Sequence, residues 1–155
     1  MKKIDFIWLG LFSSLILLSL SYFPNRLYDE IEIIKYKIDL FVIKPLTLFL
    51  VGITGVYYYI LYRIKSEFKI SQRLKHMILA ILAILSILYF FEFLWHFAMA
   101  FSIFVINKGT LPIDSINVGG MFNEIFWAKI NLFLTLWALL AIYTIYGMKE
   151  SKTTN

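Results

Sequence analysis

MILAILAILSILYFFEFLWHFAMAFSIFVI, residues 77–106, decides what kind of protein this is, because only Glu92 and His96 interrupt an apolar run of that length. A bilayer core is about 30 Å thick and an α-helix rises about 1.5 Å per residue, so roughly 20 apolar residues are enough to cross it. Three further runs meet that requirement. Residues 4–23 contain one early charge, Asp5; residues 40–62 carry Lys44 and Pro45 near their start; residues 122–148 include Glu124 and Lys129. Pro45 suits a first helical turn, where its missing N–H has no intrahelical partner to lose. The reading is an all-α integral membrane protein, a four-helix transmembrane bundle forming a single domain over residues 1–155.

Composition agrees. The chain is 61% hydrophobic and 19% aromatic, with a mean hydropathy of +0.78, values that leave too little polar surface for a soluble domain. Lys and Arg outnumber Asp and Glu by 15 to 10, an excess read here as a mark of membrane orientation and not of a nucleic-acid partner. No cysteine is present, which excludes disulfides, thiolate nucleophiles, Cys-ligated zinc and iron–sulfur clusters. The opening MKK, followed by an apolar run with Ser19 and Ser21, also has the build of a signal peptide. The run is long enough to span, and it is read as span one.

Charges assign the sides. The connection 63–76 carries Arg63, Lys65, Lys69, Arg73 and Lys75 against Glu67 alone, and is expected to be cytoplasmic. Four spans then place both termini on that side, where Lys2, Lys3, Lys149 and Lys152 belong, in a cytoplasmic or inner membrane. Residues 25–39 and the loop 107–121 fall outside. In the first of these, Leu27, Ile31, Ile34 and Ile38 recur at helical spacing and predict a short amphipathic interfacial helix after span one. The second is rich in turn formers. Its Gly119-Gly120 pair lacks the Lys and Ser or Thr of a phosphate loop.

Glu92 lies near the midpoint of the third run, and His96, four residues on, shares its helix face about 6 Å further out. A lone ionised carboxylate at that depth costs at least about 2.5–3.5 kcal/mol, so it must be neutral, paired or wet. If the fourth run is centred near Thr135, Lys129 lies about 9 Å outward, level with His96, and Asn131 lies nearer Glu92. Lys44 falls in the same outer half. The expected intramembrane polar cluster is therefore Glu92, His96, Lys129, Asn131 and Lys44. It serves either as a structural clasp between helices or as a proton or ion relay.

A metal is only weakly indicated. His96, Met99 and Glu92 share a face, of which a soft ion such as copper could use His96 and Met99, with Glu92 a poor match. His76 and His96 are 20 residues, or about 30 Å, apart and cannot clasp one haem within a chain. Haem or copper would need ligands from another subunit; no resident cofactor is expected, while bound lipid suits the aromatic surface. The sequence contains no Ser–His–acid set and no H-E-x-x-H motif. The chain is thus expected to be non-catalytic on its own: a small accessory or structural subunit of a larger membrane complex, of a respiratory or other redox kind. Its expected partners are the bilayer and other membrane subunits, with no nucleic acid. The alternative is a self-contained homo-oligomeric transporter or channel with a Glu/His relay.

Overall fold

The computed structural model describes residues 3–34, 44–110 and 118–149, with side chains over 4–22, 44–106 and 119–149. Helix α1 runs Lys3–Ile34, α2 Lys44–Glu67, α3 Gln72–Thr110 and α4 Val118–Tyr146. Each holds a segment long and apolar enough to cross a membrane: Ile4–Tyr22, Lys44–Glu67, Gln72–Ile106 and Gly119–Tyr146. The protein is all-helical, with the build of a multi-pass membrane protein.

Two extents differ from the sequence expectation. The α1 backbone does not stop near residue 23; it continues through Pro24 to Ile34, so residues 25–34 are continuous with the helix that holds span one. Proline removes one N–H from the ladder, which weakens a helix locally, yet the turns on either side can still propagate it. The basic connection also shortens. α2 extends to Glu67 and α3 starts at Gln72, leaving only Phe68 to Ser71 between them. The remainder of the expected interfacial segment (35–39), the expected start of span two (40–43) and loop residues 111–117 lie outside the described residues.

The helices neighbour one another in the order α1, α2, α4, α3: α1 packs on α2, α2 on α4 and α4 on α3, with a slight α1–α4 contact. Among the described residues α3 packs on α4 alone. Lipid tails are as apolar as the helices, so association in a membrane relies on close backbone approach and hydrogen bonds between helices. Both devices appear. Gly52 and Gly55 of α2 face α1: a Cβ at Gly52 would stand 2.6 Å from Ile16 Cγ1 and 3.0 Å from the Phe12 carbonyl oxygen, and one at Gly55 would enter the Phe12 ring. The indole N–H of Trp8 donates to the Gly55 carbonyl at 3.0 Å. Between α2 and α4 the indole N–H of Trp137 donates to Thr54 Oγ1 at 2.7 Å, with the Tyr57 ring 5.9 Å from the Trp137 ring.

At the core, Leu46 and Leu50 of α2, Ala100 of α3 and Met121 and Ile125 of α4 are buried together. Hydroxyls on the helices are satisfied locally: Ser19 donates to the Ile16 carbonyl, Thr135 to that of Asn131 and Thr144 to that of Leu140. The α2–α3 connection is stitched to the end of α4. The Ile70 N–H donates to the Lys149 carbonyl at 3.1 Å and Lys75 Nζ to that of Met148 at 3.3 Å. Gly147, just past α4, leaves room for the Lys65 amine.

Candidate functional site

That stitch sets the register of the α3–α4 pair. Ile70 meets Lys149, so advancing 26 residues to His96 on α3 corresponds to stepping back 25 residues to Glu124 on α4. There His96 Nδ1 and Glu124 Oε2 lie 2.7 Å apart, with side chains only 22% and 20% exposed. A carboxylate only accepts, so an ionised Glu124 takes the Nδ1–H of His96 and sets the ring tautomer. Trp127, one turn after Glu124, covers the ring, with centroids 6.5 Å apart and planes inclined by 27°.

The other ring nitrogen faces Glu92. Nε2 and Glu92 Oε2 are 3.7 Å apart, about 0.8 Å beyond an ordinary N–H···O bond and within reach of a small side-chain rotation. The three groups form a line, Glu92–His96–Glu124, with the imidazole in the middle. Its ends differ. Glu124 is enclosed between helices, whereas the Glu92 side chain is 60% exposed, among Leu88, Phe91, Trp95 and Met99, which are exposed as well. An imidazole between two carboxylates can accept a proton at one nitrogen and release one from the other. Because the two carboxylates meet opposite ring nitrogens, they do not converge on one point. Among the described residues no group of three His, Cys, Asp or Glu side chains is placed to share one ion. Met99 lies one helical turn beyond His96.

Lys129 is directed elsewhere. It is 3% exposed, and its Nζ donates to Thr47 Oγ1 of α2 at 2.7 Å. The reason is angular: Glu124 and Lys129 are five residues apart on α4, about 140° around a helix turning 100° per residue, so they serve different grooves. Asn131 is buried on α4, and its carbonyl accepts the Thr135 hydroxyl. Lys44 is the exposed first residue of α2, one turn before Thr47. The five residues expected as one cluster are therefore distributed. Glu92 and His96 stand together on the α3–α4 side, and Lys129 enters the α2–α4 groove, near whose α2 end Lys44 lies.

Glu124 completes the line and was missing from the sequence expectation. The level assignment put His96 opposite Lys129, five residues or about 7.5 Å along α4 from its actual partner. One signal was available: an acid in an apolar run needs a partner as much as Glu92 does. No protein-family model matches the chain, and no curated protein or solved structure matches it.

Proposed function

We propose that this chain is a small structural subunit of a larger membrane-embedded complex, joined to it through the outward side of α3. One observation carries the reading. Glu92 stands midway along a helix that packs on one other helix among the described residues, with its carboxyl on the open side and apolar residues around it. A carboxylate facing lipid at mid-span is costly, and an adjoining subunit or a water-filled contact with one relieves it. Met77, Ile81, Ile84, Leu88, Trp95 and Met99 are exposed on the same side, an apolar surface that an adjoining helix would cover.

The test is native extraction in mild detergent, combined with a photo-crosslinking residue at position 88 or 95. Stoichiometric co-purification of unlike membrane polypeptides, crosslinked at those positions, is the expected result. A chain that purifies alone, or crosslinks only to itself in a defined homo-oligomer, overturns it.

A second reading has its own support. The ordered line Glu92–His96–Glu124 is the arrangement needed to pass a proton from an open carboxyl, through imidazole Nε2 and Nδ1, to an enclosed carboxylate. On this reading the chain, in its assembly or as a homo-oligomeric transporter, carries a proton or cation relay between α3 and α4.

A further inference from the structure

Whatever meets the open side of α3 has to answer a charge that the Glu92–His96–Glu124 line does not balance. Two carboxyls flank one imidazole, and when both are ionised a protonated His96 offsets only one of them. That one is Glu124, 2.7 Å from Nδ1. Glu92 stands 3.7 Å from Nε2, beyond a formed hydrogen bond, with its side chain 60% exposed. Among the described residues no other cation comes to it. Away from the span ends, Lys129 is the one Lys or Arg that they hold, and its amine donates to Thr47 in the α2–α4 groove.

Depth and surroundings select what supplies the missing charge. Glu92 lies three residues, or about 4.5 Å, past the middle of the Gln72–Ile106 span, so a headgroup at the edge of a core about 30 Å thick is roughly 10 Å away. A lipid amine does not reach it. A hard metal ion wants about six oxygens, and the exposed apolar side chains around Glu92 offer none. A Lys ammonium is a compact, strongly hydrated charge, whereas an Arg guanidinium is weakly hydrated, holds a carboxylate through two parallel N–H bonds and lies flat on aromatic rings. Such rings are in place: Phe91 and Trp95, each 64% exposed, border Glu92 on the open side. A second copy of this chain is a poor occupant. Its described spans bring no exposed Lys or Arg to this depth, and a two-fold contact through the same face sets Glu92 against Glu92.

We propose that Glu92, bordered by Phe91 and Trp95, is the docking point for an arginine on a transmembrane helix of an unlike subunit, the two forming an ion pair near mid-span. Such a pair presupposes the subunit reading above and adds the chemistry of its partner.

Glu92→Leu tests it, because the alternatives differ in sign. A position that only packs on apolar side chains or lipid gains from leucine, whereas a paired one leaves a guanidinium unpartnered inside the membrane. The tagged full chain is crosslinked in its native membrane through benzoylphenylalanine at position 88, extracted in mild detergent, and the crosslinked partner peptide is mapped by mass spectrometry. The expected result has three parts: an arginine within two helical turns of the crosslinked partner residue, at least a tenfold fall in partner recovered per chain in Glu92→Leu, and restored recovery when that arginine is replaced by leucine as well. Glu92→Gln keeps an oxygen that accepts from a guanidinium, so it is not the deciding variant. Thermal unfolding of the purified chain, expected to be unchanged, shows that Glu92→Leu is folded. The mapping needs no change at Glu92. Full partner recovery by the folded Glu92→Leu chain, or a mapped helix without an arginine near the crosslink, overturns the proposal and leaves the subunit reading standing. If the unaltered chain brings down no unlike membrane polypeptide, the subunit reading fails and the ion pair fails with it.

Discussion

His96 Nδ1 sits 2.7 Å from Glu124 Oε2, a contact between residues 28 positions apart on antiparallel helices. It joins α3 to α4, the one helix on which α3 packs among the described residues. Both partners are largely withdrawn from solvent, so each depends on the other for its hydrogen bond.

Removing either partner alone should therefore destabilise the α3–α4 pair. Glu124→Ala and His96→Ala are each expected to cost about 1–3 kcal/mol, because the remaining group loses its bond. The double variant should cost less than the sum, with a coupling near 0.6–1.7 kcal/mol, the range of interhelical bonds in membranes. Thermal unfolding in detergent measures all three. Strictly additive losses would mean that the pair does not couple the helices.

Glu92→Gln separates a clasp from a relay. The amide keeps the size and hydrogen bonding of the side chain and removes the charge, so assembly and thermal stability should be retained or slightly raised. A relay needs the titratable group itself. Proton flux through liposomes containing the native assembly, read by an enclosed pH dye, should then fall to background in Glu92→Gln and in His96→Gln. Full flux in both variants would leave these residues as packing groups.

Gly52 and Gly55 predict different suppression patterns. Gly55→Ala drives a methyl into the Phe12 ring, and overpacking of this kind typically costs about 1–3 kcal/mol. Adding Phe12→Ala should recover part of that loss. Gly52→Ala meets the Ile16 side chain first and then the backbone oxygen of Phe12, so Phe12→Ala should bring no comparable recovery. Equal rescue of both glycine variants would contradict the proposed α1–α2 approach.

Orientation is testable because the chain has no cysteine, so an introduced one is labelled alone. The basic bias over 63–76 predicts that Ser66→Cys resists an impermeant reagent applied from outside the cell, while Ser115→Cys, outside the described residues, reacts. The reverse pattern would invert the topology.

Much of this was legible along the chain. The thickness of a bilayer sets the length of a spanning run, so four spans follow from counting apolar residues, and a spacing of four puts Glu92 and His96 on one helix face whatever surrounds them. The partner of His96 was not legible. Local pattern fixes the face of a helix but not its sliding register against a neighbour, and here that register follows from the meeting of Ile70 with Lys149. A slip of five residues along α4 exchanges Lys129 for Glu124 and turns the contact about 140° around the helix. The order α1, α2, α4, α3 was equally hidden, because in lipid an apolar surface does not reveal whether a helix or an acyl chain covers it. Tertiary packing alone left α3 with one neighbouring helix among the described residues and placed Glu92 on its open side.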